Sequence, residues 1–157
     1  RLVLFRAPSL SPQAYAAEAA ALRAQCGEAG AQLLLHGGPE RLAMTAADGL
    51  HLPSRLLAGF ASRPVQAGVW LAASVHDAAE LEQAQRLGVD FVVLSPVAAT
   101  ASHPDAAPMG WSAFSALVQT ATVPVYALGG MGDKDVPLAL EAGGQGVAGI
   151  RGVFTRG

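Results

Sequence analysis

Along this chain, short apolar runs alternate with longer segments in which apolar positions recur every three or four residues. The runs lie at residues 1–5, 32–36, 49–52, 69–75, 90–97, 123–128 and 146–150. Most are continuously apolar rather than alternating, the pattern of strands covered on both faces, and they predict a parallel sheet. Between them lie helical segments. Residues 11–26 read as a helix with Ser11 as N-cap, Pro12 at the first helical position and Gly27 beyond its end. A second helix is expected from the N-cap Asp77 through residues 78–86, stopping at Gly88. Strand and helix alternate with short connections, which argues for a parallel α/β fold.

Doubly wound sheets usually stop at five or six strands, and seven strand–helix units stand closer to the eight of a closed barrel. The expected fold is a TIM-type (β/α)8 barrel that falls one unit short. A strand at residue 1 and the lack of an initiator Met lead us to expect that the first βα unit is missing from this chain. Residues 1–157 then form one barrel domain, incomplete at its N-terminus, whereas a complete barrel needs at least about 200 residues.

Composition narrows the class of partner. The chain is 52% hydrophobic and 14% charged with a net charge of −2, a globular composition. Its ten Lys and Arg are scattered and make no basic stripe, so nucleic acid is not expected. No apolar run approaches the roughly 18 residues of a membrane span, and no signal-peptide pattern opens the chain. The expectation is a cytoplasmic domain without a membrane partner. Cys26, the single cysteine, lies in an Ala-rich helical stretch and reads as a packing residue. Trp70 and Trp111 likewise read as core or interface aromatics.

The chemistry-bearing feature is a pair of glycine-ended strands. Val123-Pro-Val-Tyr-Ala-Leu-Gly-Gly-Met131 is followed by Gly146-Val-Ala-Gly-Ile-Arg-Gly152. In (β/α)8 barrels the loops after the seventh and eighth strands commonly cradle phosphate with backbone N–H groups. Gly129, Gly130, Ile150, Arg151 and Gly152 are the phosphate-binding candidates. The same glycines would also serve tight strand-to-helix turns with no ligand at all.

Asp48-Gly-Leu-His-Leu52, Ala73-Ser-Val-His76, Gly88-Val-Asp-Phe-Val-Val-Leu-Ser-Pro-Val97 with Thr100, and the two glycine-ended strands together resemble thiamine phosphate synthase and its sister, the thiazole tautomerase. The resemblance covers almost the whole chain. Ser95-Pro-Val97 and Thr100-Ala-Ser-His-Pro104 are closest to a synthase-like domain fused behind a Nudix hydrolase, which would put such a hydrolase upstream as a fused partner. The resemblance implies a small phosphorylated substrate and synthesis of thiamine phosphate from an aminopyrimidine pyrophosphate and a thiazole phosphate, with Mg²⁺ and basic residues stabilising departing pyrophosphate.

Residue by residue, Arg6 falls on a family arginine that points at pyrophosphate, and Thr100 and Ser102 fall on a hydroxyl pair there. Pro8 replaces a family lysine. Ser74 and His76 match a serine and a histidine at a strand end, where His76 would serve catalysis or cap the next helix. His103 stands where a lysine is expected, and is only partly charged near neutral pH. Arg151 occupies the place of a family serine.

The implied Mg²⁺ is not supported by ligands. An Asn-Asp pair is replaced by His36-Gly-Gly38, and a further aspartate by Leu52-Pro-Ser-Arg-Leu56, although Mg²⁺ favours carboxylate oxygens. Tautomerase chemistry needs no metal, and its relatives share Leu52-Pro-Ser54, yet its acid/base histidine aligns with Pro96. His103, His76 or His36 would have to carry the proton instead. Three readings follow: a synthase-like transferase or tautomerase-like isomerase, a non-catalytic module that binds a phosphate ligand for an attached Nudix hydrolase, and a structural or homodimerising domain.

Overall fold

In the computed structural model, residues 1–100 and 106–150 are described. Seven strands form one parallel sheet: β1 (Leu2–Phe5), β2 (Gln32–His36), β3 (Gly49–Leu52), β4 (Trp70–Val75), β5 (Phe91–Leu94), β6 (Val125–Ala127) and β7 (Gly146–Val147). Their order in the sheet is their order in the chain. That sequential order separates the fold from a doubly wound sheet, whose strand order reverses at a switch point. The strands curl into a partial (β/α)8-type barrel, with β1 and β7 as its two edges among the described residues.

The helices are α1 (Pro12–Glu28), α2 (Ser54–Leu57), α3 (Ala78–Arg86), α4 (Gly110–Val118) and α5 (Val136–Glu141). Capping sets two of the starts as the sequence predicts. The Ala14 N–H donates to Ser11 Oγ at 3.3 Å, and the Glu80 N–H to Asp77 Oδ1 at 2.9 Å. Gly88, at φ +68°, ends α3 as expected. Helix α1 runs two residues past its predicted end. Its left-handed terminal position falls on Gly30 (φ +62°), so Gly27 stays helical.

Alternation along the strands makes two apolar layers. On the helix side, Leu50, Leu52, Leu71, Ala73, Val75, Val92 and Leu94 pack with Leu81, Phe114 and Ala139. On the inner side, Leu34, Ala72, Phe91 and Val93 meet Trp70 and Tyr126. Trp70 stacks edge-on with Phe91, and Trp111 with Phe114, so both tryptophans are packing residues. Cys26 is buried in a third cluster with Tyr15, Leu33 and Leu35, where α1 covers β1 and β2. Across from that cluster, Leu2 and Leu4 remain 41% and 44% exposed on β1.

Two aspartates fix the N-terminal end of the sheet. Asp48, before β3, accepts the Leu33 N–H at 2.8 Å and pairs with Arg23; Asp90, before β5, accepts the Leu71 N–H at 2.7 Å and pairs with Arg63. Each carboxylate satisfies a strand-start amide of the neighbouring strand. No described helix is long and apolar enough to cross a membrane.

Candidate functional site

A parallel sheet places every strand's C-terminal end on one rim, and barrel active sites are built there. The candidates within the described residues all follow this rule. Arg6 comes directly after β1 and is exposed; Ser74 is half-buried in β4; His76 follows β4; Thr100 is half-buried in the segment after β5. Gly129 and Gly130 follow β6, and Ile150, 63% exposed, follows β7. Ser102, His103, Arg151 and Gly152 lie outside the described residues.

The turn after β6 is pressed against the segment that leaves β5. Val97 donates its N–H to Leu128 O at 2.8 Å, and Ala98 to Gly129 O at 3.2 Å. A Cβ on Gly129 would lie 2.9 Å from Pro96 Cα, and one on Gly130 would lie 2.5 Å from Ala99 O. Both glycines also have positive φ, +104° and +67°. The structure thus gives these glycines a packing role as well as leaving room for a phosphate one. Among the described residues, neither Gly129 nor Gly130 donates its N–H to a partner. The return of the same long loop is tied as well, with Met109 and Gly110 donating to Pro96 O and Val97 O. Residues 101–105, in the middle of that loop, lie outside the description.

Inside the barrel mouth, the register pairs His36 with His51 on adjacent strands. Their Nδ1 atoms stand 3.2 Å apart, while the ring centroids are 5.4 Å apart and the planes differ by 27°. The nitrogens therefore lie on the line between the rings and face each other head-on. This is the geometry of an N–H···N bond, with one proton between two neutral imidazoles. The two nitrogens aim at each other and not at a common third point, where a metal bound by both would have to sit. Beyond His51, its Nε2 reaches Ser74 Oγ at 3.5 Å.

Environment holds both rings neutral. Burial, followed by the charges of Arg6, Arg55 and Arg41, pushes His36 down to about 4. Burial and then the neighbouring His36 push His51 down to about 3.

His76 is held differently. Its backbone N–H donates to Glu80 Oε2 at 2.8 Å, and its Nδ1 lies 2.7 Å from Ser95 O and 3.3 Å from Ser95 Oγ. A carbonyl only accepts, so Nδ1 carries the proton and Nε2 of the neutral ring is left as the acceptor. The cap of α3 is Asp77 rather than His76, whose ring is fixed instead by Ser95 after β5.

Mg²⁺ does not fit the donors present at the place the resemblance assigns to it. His36 ends β2, Gly37 and Gly38 follow it and Arg55 lies in the first turn of α2, so these positions offer imidazole and guanidinium where carboxylates are needed, and the Glu40 carboxylate beyond them is turned onto the Gly38 N–H. Asp48 and Asp90 are committed to amides and arginines at the other end of the sheet. No cluster of three His, Cys, Asp or Glu capable of holding a metal occurs among the described residues. The sequence reading missed Arg41. It lies in the 3-10 turn Pro39–Met44, whose short irregular pattern carries no facing information, and its guanidinium carbon sits 4.1 Å above the Tyr15 ring.

A family model described as thiamine monophosphate synthase matches residues 1–153. A thiamine-phosphate synthase of Methanoculleus marisnigri is 35% identical over 141 residues, 88% of this chain and 67% of the relative. A relative from Aquifex aeolicus is 34% identical over 104 residues, and that match spans 66% of this chain but only 56% of the relative. Among solved structures, a thiamine phosphate pyrophosphorylase from Pyrococcus furiosus superposes with a TM-score of 0.79 at 20% identity, over 95% of this chain and 71% of that one, a likeness of fold. Sequence and fold converge, and the chain belongs to the thiamine monophosphate synthase family.

Proposed function

We propose that this domain binds a thiazole phosphate or a thiamine phosphate-like ligand at the C-terminal rim, as a synthase-like transferase of thiamine synthesis or salvage with a degenerate metal site. The phosphate is held by the turns after β6 and β7, at Gly129, Gly130, Ile150, Arg151 and Gly152. The observation that carries this reading is the Gly129–Gly130 turn, whose N–H groups have no partner among the described residues beside the end of β7. Backbone amides at such a turn reach an anion without a Cβ in the way. Arg6, Thr100 and Ser102 take the pyrophosphate side, and Ser74, His76 and His103 are the residues for proton handling.

One observation favours a second reading. Arg55 and the Gly37–Gly38 pair stand where metal carboxylates belong, which suits a module that binds its ligand without turnover, attached to a Nudix hydrolase. Calorimetric titration with thiazole phosphate and thiamine phosphate tests the shared core of both readings. Saturable binding is expected, and Arg151→Ala should weaken it by about 1.5–3 kcal/mol, the range for a hydrogen bond to a charged group. If the parent protein binds neither ligand, the reading falls. Gly130→Asp is a weaker probe, since its Cβ would meet the Ala99 carbonyl.

A further inference from the structure

The inner wall of the barrel mouth carries a row of polar side chains from three adjacent strands. Side chains alternate along a strand, so His36 shares the inner face with Leu34, and Ser74 shares it with Ala72. Leu50 and Leu52 pack on the helix side, which turns His51 between them inward. His51 is 3% exposed, whereas His36 and Ser74 on either side of it are half-buried. The row is sealed at its centre and accessible at both ends.

Both ring nitrogens of His51 are engaged, Nδ1 with His36 Nδ1 at 3.2 Å and Nε2 with Ser74 Oγ at a longer 3.5 Å. A neutral imidazole has one donor and one acceptor nitrogen, so the two contacts of His51 have opposite polarity. Two arrangements satisfy this. In one, His36 Nδ1–H donates to His51, His51 Nε2–H donates to Ser74 Oγ, and the hydroxyl is free to donate to a ligand. In the other, Ser74 donates to His51 Nε2, His51 Nδ1–H donates to His36, and His36 Nε2 carries the remaining N–H. His36 Nε2 has no hydrogen-bond partner among the described residues, which leaves it available for proton exchange.

We propose that His36, His51 and Ser74 form a proton relay across three strands, which delivers a proton to a ligand atom beside the Ser74 hydroxyl. The first arrangement converts to the second when His36 Nε2 takes up a proton from solvent. His36 Nδ1 then passes its proton to His51 Nδ1, His51 Nε2 passes its own to Ser74 Oγ, and Ser74 releases its original hydroxyl proton to the ligand. One proton enters, one leaves, and both rings end neutral, as their burial requires. His36 and His51 act through Ser74 and are positioning residues. The relay rests on reading this rim as a ligand site. It depends on His36, which stands where the resemblance expects an Asn-Asp pair and so belongs to this chain's departure from that pattern.

Isotopic nitrogen labelling of the histidines in the ligand-free protein, with long-range proton–nitrogen spectra that report which ring nitrogen bears the proton, is the test. The parent should show His36 and His51 as opposite tautomers, with a scalar coupling between their Nδ1 atoms through the shared proton. A buried N–H without a partner costs more than a buried lone pair without one, so each truncation should leave the lone pair on the vacated side. His36→Phe should accordingly bias His51 to its Nε2–H form. Ser74→Ala should bias it to its Nδ1–H form, and His36 should follow into its Nε2–H form although it makes no hydrogen bond to residue 74. Each bias should be about threefold or more in tautomer ratio, the size that one ordinary hydrogen bond supports. Matching tautomers at the two rings of the parent, or a His51 tautomer ratio equal in the two variants, overturns the relay. A thermal melt on each variant confirms the fold, and the parent spectrum decides the matter where a variant unfolds. Because no ligand is present, failure of the relay leaves the phosphate reading standing, whereas failure of thiazole phosphate and thiamine phosphate to bind overturns the functional reading alone.

Discussion

His36 and His51 meet nitrogen to nitrogen at 3.2 Å, two imidazoles sharing one proton across neighbouring strands. A second proton between the two Nδ1 atoms would set two N–H groups face to face and add a positive charge in a buried setting where the charges of Arg6, Arg55 and Arg41 already oppose it. The folded protein therefore resists protonation that the unfolded chain accepts.

Stability should consequently fall in mild acid. In the unfolded chain both rings titrate near pH 6.5, whereas folded His36 and His51 titrate at about 4 and about 3. Their contribution is complete above pH 6.5 and is lost progressively as pH falls toward those folded values, with a slope of at most about 1.4 kcal/mol per pH unit for each ring. Urea midpoints measured from pH 7 to pH 4 should show this decline, and His51→Leu should flatten it. An unchanged slope in the variant would assign the acid sensitivity to other groups.

Gly129→Ala should destabilise the fold by several kcal/mol. The added methyl would lie 2.9 Å from Pro96 Cα and Cβ, at a φ of +104° that L residues rarely adopt. Thermal unfolding provides the measurement; a variant as stable as the parent would show that residues 96–99 can yield.

Asp90→Ala should cost about 1–3 kcal/mol, because it leaves the Leu71 N–H without its acceptor and removes the partner of Arg63. Asp90→Asn is expected to recover part of the loss, since its carbonyl can still accept that N–H. Denaturant melts of the two variants decide this, and equal losses would mean that charge rather than the amide contact matters.

Ordinary Mg²⁺-dependent synthase turnover should be weak or undetectable. Removing electrostatic stabilisation of a leaving group costs several kcal/mol of barrier, hence orders of magnitude in rate. Incubation with both synthase substrates and Mg²⁺, followed by detection of thiamine phosphate, measures it. A rate comparable to that of authentic synthases would show that other ligands hold the metal.

The layout of the sheet was legible because parallel strands buried on both faces are continuously apolar, and because Ser11, Asp77 and Gly88 punctuate the helices in the expected way. Strand lengths were overread at 90–97 and 123–128. Pro96 and Pro124 flank the regular ladders, which contract to Phe91–Leu94 and Val125–Ala127. The His36–His51 contact was not legible. Both residues were visible as candidates, but only the register shows that they are direct neighbours. Arg41 was hidden for a related reason, since a 3-10 turn has no period from which a facing direction could be read. The two glycines at 129–130 were read as a ligand turn, and their equally strict packing requirement came from a backbone distant in sequence.

That packing makes the loop after β5 and the turn after β6 one mechanical unit. Because the carbonyls of Leu128 and Gly129 hold the amides of Val97 and Ala98, any force a ligand exerts on the turn reaches the start of the neighbouring loop without passing through the barrel core. A ligand bound at the one strand end would thereby be felt at Val97 and Ala98 beyond the other. Evolution cannot retune either segment freely: a bulkier residue in one requires a retreat in the other, so a change of ligand at this rim is a two-segment problem.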